Sequence, residues 1–379
     1  MFAYASSLGV ASLGNRTLVV RPTNPLLSHF KLKAVLDCRR DLCGKAKTKY
    51  DGGCCRFNPK VLQPEPQAPV LKVLRYLQCW RYFAHVEKEV RAQFTTYGDT
   101  AKQAANVIKS VRREFGGLQG AVTLVGVHVR HGDVSHKRFQ NFGYQVPSIG
   151  YFYRAMAWYL RKFSRVVFVI SSDRKEYVME NIIPLCENES MKDNSTFPTG
   201  NKQYANGTAA FRFQPSRPHY RTKDLRNRRG KATQENEDQK ELSNYGHDLS
   251  QPATSHSSEV VQNNTKPKGF RVSDTLDDLG HLRRSRRDAG EVKTRLPEEL
   301  GPLPGARCRY VGTHKAAVDL AVLASCDHII MSTGTYGWWA AWLTGGVVVY
   351  YKYPAREGSL YSKHFNGDDF FPPHWIPME

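Results

Sequence analysis

Two blocks of one repeating pattern constrain this chain more than any other feature. Strand-like runs dominated by apolar residues, Val122 to Val129, Val166 to Ile170, Asp327 to Met331 and Val347 to Tyr351, alternate with helical patterns at Tyr151–Phe163, Arg174–Leu185, Lys315–Ala324 and Gly337–Leu343. Strands without polar alternation are buried on both faces, and the intervening helices supply the cover. The pattern predicts an α/β fold with a parallel sheet. Order resumes at Arg309-Tyr-Val311 after a stretch of different composition. Residues 187–305 are rich in Asn, Ser, Thr, Gln, Lys, Arg and Pro and show no sustained periodicity, so they read as a disordered insertion within one sheet domain.

The N-terminal part, residues 1–121, reads as a separate domain. Thr17-Leu-Val-Val20 fits a short strand, and Leu71 to Phe94 is mostly helical in pattern. Thr100 to Phe115 predicts an amphipathic helix with Ala101, Ala104, Ala105, Ile108 and Val111 on one stripe. The division is then 1–121, 122–186 joined with 306–379, and the insertion at 187–305. The chain carries 55 Lys+Arg against 35 Asp+Glu, and 20 of the basic residues fall in 1–113 beside 7 acidic ones. No basic block, zinc finger or RNA-binding signature accompanies this excess, so an anionic small ligand accounts for it at least as well as nucleic acid does. A solvated basic surface is the plainer alternative. No apolar run is long enough to cross a membrane.

Three loops follow predicted strands directly, the position where open α/β sheets bind ligands. His128-Val-Arg130-His131-Gly132-Asp133 offers a guanidinium fork suited to phosphate; the alternative is an Arg130–Asp133 ion pair closing the loop. Ser171-Ser172-Asp173 would bind a ribose or a base edge, or cap the next helix. Ser332-Thr333-Gly334-Thr335 precedes a helix, where free backbone N–H groups hold anions. Three such loops on one sheet could converge on a nucleotide diphosphate. Trp338, Trp339 and Trp342 read as core.

The eight cysteines contain no CxxC pair, so zinc is not expected. Disulfides among Cys38, Cys43, Cys54 and Cys55 fit a secreted chain, whereas Cys326 reads as a free core thiol. Sequons start at Asn15, Asn188, Asn194, Asn206 and Asn263, the last four within the insertion, and suit a lumenal glycoprotein. Arg226-Asn-Arg-Arg229 and Arg284-Ser-Arg-Arg287 read as solvated charge runs rather than processing sites.

Val125-Gly-Val-His-Val-Arg-His-Gly-Asp133 resembles the HxRRxD segment of fucosyltransferases, in the form found in the α-1,2-fucosyltransferases of glycosyltransferase family 11. Val167 to Asp173 with Glu180-Asn-Ile182, the long run Asp319 to Gly346, Leu77 to Phe83 and Phe371 to Trp375 are similar to further segments of that family, in the same order. The resemblance implies a GT-B-like architecture of two Rossmann-like domains. It also implies metal-free, inverting transfer of L-fucose from GDP-fucose to the 2-hydroxyl of a terminal β-galactoside, so the partners are GDP-fucose and a galactose-terminated glycan. Arg130 matches the arginine that stabilises the leaving diphosphate. His128, His131, Ser171, Ser172, Asp173, Thr333, Gly334 and Thr335 fall in the donor-binding blocks, and Asp133 is the nearest carboxylate for the acceptor proton. His131 stands where the family usually has a second arginine.

Met1 to Leu8 is similar to a helix that follows a Gly-rich loop in the family, so the expectation is an incomplete chain lacking a first strand and a membrane anchor. The full form is then a single-pass type II Golgi protein. Two other readings compete: another GDP-fucose user, protein O- or α-1,6-directed, and a homologue that binds without turnover.

Overall fold

A computed structural model describes residues 1–36, 46–50, 53–74, 76–116, 121–187 and 301–379. Helix α1 (Phe2–Leu13) leads to strands β1 (Lys47–Tyr50) and β2 (Leu71–Leu74) and to helices α2 (Glu87–Gln93) and α3 (Gly98–Gly116). Then come β3 (Thr123–Val129), α4 (Lys137–Phe142), α5 (Ile149–Lys162), β4 (Val166–Ser172) and α6 (Lys175–Asn181). Beyond residue 300 lie β5 (Arg307–Tyr310), α7 (Ala316–Ala324), β6 (His328–Met331), α8 (Thr335–Thr344) and β7 (Val348–Tyr351). The chain closes with α9 (Leu360–His364), α10 (Gly367–Phe370) and β8 (Ile376–Met378).

Six strands form one sheet in the order β5-β4-β3-β6-β7-β8, and each neighbouring pair is parallel. Side chains alternate across a strand, so β3 and β4 feed two cores. Val125, Val127, Val129, Val166, Phe168 and Ile170 pack with Tyr151, Phe152, Ala155, Met156 and Tyr159 of α5. On the opposite face, Leu124, Val167 and Val169 meet Ala104 and Val111 of α3 and Val318, Ala321 and Val322 of α7. The predicted α/β class and the continuous apolar strands are therefore what the sheet requires. The chain runs outward from β3 to β5 and then returns to the other side of β3, so strand order reverses between β3 and β6. A doubly wound sheet binds nucleotides at that reversal, beyond the carboxyl ends of the strands.

Two N-terminal expectations change. Thr17–Val20 is not a strand; Val19 makes a single bridge to Val35. Leu71–Phe94 is not mostly helical: β2 pairs in parallel with β1, two 3-10 turns follow at Trp80–Tyr82 and Ala84–Val86, and only Glu87–Gln93 is α-helix. The local pattern is overridden by packing. Leu77 is fully buried with φ +51°, and its carbonyl accepts the Ser6 hydroxyl at 3.0 Å. Gly9 of α1 lies so close to the Tyr82 carbonyl that a Cβ would sit 2.0 Å from it. Phe2 contacts Trp338 at 4.5 Å and Trp339 at 5.1 Å between ring centroids, and Trp338, Trp339 and Trp342 are all buried.

Cys186 and Cys308 form a disulfide that the sequence did not suggest, joining the segment after α6 to β5. Cys54 and Cys55 are not in disulfides and so take no part in the pairing expected among the first four cysteines; Cys38 and Cys43 lie outside the described residues. Cys326 is a free, buried thiol, as expected. Leu303, assigned by composition to the insertion, is buried and bridges Cys186, and the Gly305 N–H donates to Glu187 at 2.7 Å. Residues 188–300, with Asn188, Asn194, Asn206 and Asn263, lie outside the described residues.

Candidate active site

The register of the sheet builds the site. His128 of β3 pairs with Met331 of β6 on one side and with Ser171 of β4 on the other. The three loops picked from the sequence therefore leave adjacent strands at the same level. Hydrogen bonds then join them. The Arg130 N–H donates to Ser332 Oγ at 2.9 Å, and that hydroxyl lies 3.1 Å from His128 Nδ1. The N–H groups of His131 and Gly132 donate to the two oxygens of Asp173, at 2.9 and 3.0 Å.

Arg130 sits between the loops with its side chain 10% exposed. Its Nε and Nη2 donate to both oxygens of Asp133, at 3.0 and 2.7 Å. Nη1 faces Gly334, where an added Cβ would come within 2.2 Å of it. Burial disfavours the charged guanidinium, but the Asp133 hydrogen bonds and charge outweigh it and keep the Arg130 pKa above its ordinary value. Burial likewise pushes the Asp133 carboxyl up; the opposing Arg130 contacts win and hold it below the ordinary carboxylate value.

The loop after β6 is set by Gly334, whose φ of +90° favours glycine and which occupies the N-cap of α8 without a side-chain bond. The first N–H groups of α8 have no helical acceptors and point along its axis towards this loop. Thr333 beside it is buried, and its Oγ1 has no hydrogen-bond partner among the described residues. An orphaned buried hydroxyl next to free amides suits an anionic oxygen.

His128 is buried, and burial first, then the Arg130 charge, pushes its imidazole down to about 3. It is a neutral strut beneath α8, where Gly337 leaves room for it: a Cβ there would lie 2.3 Å from Nδ1. His131 stacks on Tyr177, with ring centroids 3.6 Å apart and planes 12° apart. Burial and the Arg174 charge lower its pKa, with Asp173 opposing, and its buried Nδ1 has no partner among the described residues. Ser171 is buried in β4. Ser172 Oγ accepts the Arg174 N–H at 3.0 Å, and Arg174, not Ser172 or Asp173, occupies the N-cap of α6.

The sheet thus brings together Arg130, His131, Asp133, Asp173 and the 332–335 loop. Sequence reasoning quoted Ser332 without assigning it a role, and passed over Tyr177 and Arg174. The signal for Ser332 was available: it is the first hydroxyl beyond a buried strand paired with β3. A shallow basic depression of Ala105, Ile108, Lys109, Arg112, Arg113 and Ser325 holds none of the predicted residues. It lies at the amino ends of the strands, where Arg112 binds the Val122 carbonyl and Asp327. Among the described residues no His, Cys, Asp and Glu side chains form a metal-ligating group, and no helix is long and apolar enough to cross a membrane.

The family model described as Glycosyl transferase family 11 matches residues 66–200 and 307–379. Galactoside alpha-(1,2)-fucosyltransferase 1 of Saimiri boliviensis boliviensis is 32% identical over 114 residues, covering 30% of this chain and 31% of that protein. The protein of the same name from Leontopithecus chrysomelas is 21% identical over 308 residues, covering 81% of this chain and 52% of that one. The chain therefore matches 31% and 52% of the length of these two curated relatives. No solved structure matches.

Proposed function

The chain belongs to glycosyl transferase family 11, and from that premise we propose that its strand-end crevice transfers L-fucose from GDP-fucose to the 2-hydroxyl of a terminal β-galactoside. One observation carries this reading: a buried arginine at the strand-order reversal, whose Nη1 has no hydrogen-bond partner among the described residues and faces the N-terminus of α8. In the inverting reaction the acceptor oxygen bonds to fucose C1 as the bond from C1 to the diphosphate oxygen breaks. The electron pair leaves on the diphosphate, and the acceptor hydroxyl passes its proton to solvent or to Asp133, once that carboxylate is released by Arg130. The transition state has oxocarbenium character, as in glycoside hydrolysis. Fixed donors aimed at the developing charge lower its energy most. Arg130 Nη1, the Thr333 hydroxyl and the amides from Thr335 onward are those donors in this reading.

Asp133 orients the guanidinium through two hydrogen bonds. To act as the base it would first have to release Arg130. Asp173 holds the 131–132 backbone, and reading the nucleoside would compete with that task. A reaction without metal, two GT-B-type domains divided near residue 121, and a lumenal Golgi setting with a type II anchor belong to the same proposal. The Cys186–Cys308 disulfide supports an oxidising compartment.

Incubation with labelled GDP-fucose over an array of galactose-terminated glycans tests the proposal. Label on terminal β-galactosides, with a 1,2 linkage in the released product, is expected. Label on serine, threonine or core N-acetylglucosamine would move the chain to another fucosyl acceptor class. A second reading, binding without turnover, is favoured by the stacked His131, its protonated form disfavoured by burial, at a position where the family usually has an arginine. GDP binding with no transfer to any acceptor would establish it.

A further inference from the structure

We propose that Arg174 is a second donor-binding cation, reaching the diphosphate from the loop after β4. The proposal rests on the nucleotide-sugar reading above. It begins from a shortage of positive charge at the reversal. Nε and Nη2 of Arg130 are bound to a carboxylate, so that pair is nearly neutral overall and leaves only Nη1 without a partner among the described residues. His131, the next residue, lies flat on Tyr177, and burial and the Arg174 charge disfavour its protonated form. A departing diphosphate gains charge, and one partly neutralised guanidinium with a few amides is a weak counter-field for it.

Arg174 is placed to fill the gap. Asp173 grips the backbone of His131 and Gly132, so the following residue starts beside the β3 loop. The Ser172 hydroxyl fixes its backbone, accepting from the Arg174 N–H at 3.0 Å and donating to its carbonyl at 3.2 Å. The side chain is exposed and makes no ion pair or hydrogen bond among the described residues. Its charge reaches the His131 ring and adds to burial in lowering the pKa there. The strands stand in the order β4, β3, β6, so the loops that carry Arg174, Arg130 and the α8 amides leave the sheet side by side in that order. A diphosphate lying along that line would meet a cation, a second cation and a helix N-terminus in turn. An arginine used this way binds through a planar fork, which lysine reproduces only as a point charge.

The test is calorimetric titration of GDP, and separately of inorganic diphosphate, into the wild-type chain and four variants: Arg174→Ala, Arg174→Lys, the double variant Arg174→Ala/His131→Arg, and Arg113→Ala as a remote exposed cation. The expected result is a loss of about 10- to 100-fold in affinity for both ligands with Arg174→Ala, as for a hydrogen bond to a charged group. The lysine variant retains part of the affinity, and the double variant regains most of it because it returns a cation to the neighbouring loop. Arg113→Ala stays within about twofold of wild type, as expected for a screened remote charge. The proposal is overturned if Arg174→Ala matches Arg113→Ala, or if neither the lysine nor the relocated arginine restores binding. Wild-type protein that binds neither GDP nor GDP-fucose overturns the nucleotide-sugar reading itself.

Discussion

Arg130 Nη1 occupies the space into which a side chain on Gly334 would grow, 2.2 Å from the position of an added Cβ. Glycine at 334 therefore serves two purposes: it adopts φ +90° and it leaves room for the guanidinium beside the α8 N-terminus. Gly334→Ala is expected to lower stability by about 1–2 kcal/mol through the backbone alone. Displacement of Arg130 adds a loss of GDP affinity of at least tenfold. Equilibrium denaturation and GDP titration measure the two effects, and a fully stable variant with unchanged affinity would contradict this packing.

Asp133→Asn separates orientation from charge. The amide keeps part of the fork but releases the Arg130 charge, so GDP affinity holds or rises while turnover falls roughly tenfold, as for a misaligned transition-state donor. If Asp133 were the base, the variant would instead lose the acidic limb of the pH–rate profile. Stability carries a second signature. The folded Asp133 pKa lies below its unfolded value, so its contribution is present above about pH 4 and is lost as pH falls through the folded pKa. Acid titration of the variant shows a shallower loss than wild type; identical curves would count against the ion pair.

His128 gives the opposite end of the site a pH signature. Its folded pKa of about 3 lies below the ordinary imidazole value, so the unfolded chain takes up the proton first. Stability from this residue is complete above about pH 6.5 and declines as pH falls towards 3. At pH 5.5 the decline is about 1.4 kcal/mol, one decade below the unfolded pKa. Urea denaturation at pH 7.5 and 5.5 checks this in wild type and His128→Asn, which retains a hydrogen-bonding side chain near Ser332. A wild-type difference no larger than that of the variant would refute it.

The Cys186–Cys308 bridge spans a sequence separation of 122 residues. Closing so long a loop restricts the unfolded chain, and its removal is expected to lower stability by about 2–5 kcal/mol. Cys308→Ser, or reduction with dithiothreitol, is compared with the oxidised protein by guanidinium denaturation. Equal midpoints would show that the bridge contributes nothing measurable.

The second half of the fold was legible because its strands are buried on both faces. Val122–Val129 and Val166–Ile170 have no polar alternation to confuse with a helix, and their ends fixed where the polar loops would emerge. Convergence of those loops followed from strand order, which periodicity does not encode; the His128–Met331 register supplies it. The N-terminal elements were less legible because they are short and held by distant partners. The Phe57 N–H donates to Asp369 at 2.9 Å, and Cys55 bridges Phe365, contacts no local pattern reveals. Residues with two chemical uses also divided correctly only in space. Arg130 and Asp133 read as a phosphate fork or as an ion pair, and the geometry shows the pair with one nitrogen left over.

The most direct test of the account is transfer of labelled fucose from GDP-fucose to a β-galactoside by wild type and Arg130→Ala, with both proteins shown to be folded by circular dichroism. The account predicts a 1,2-linked product from wild type and loss of at least a hundredfold in kcat/KM for the variant, in the range for removing one preorganised donor. Turnover unaffected by Arg130→Ala would contradict it.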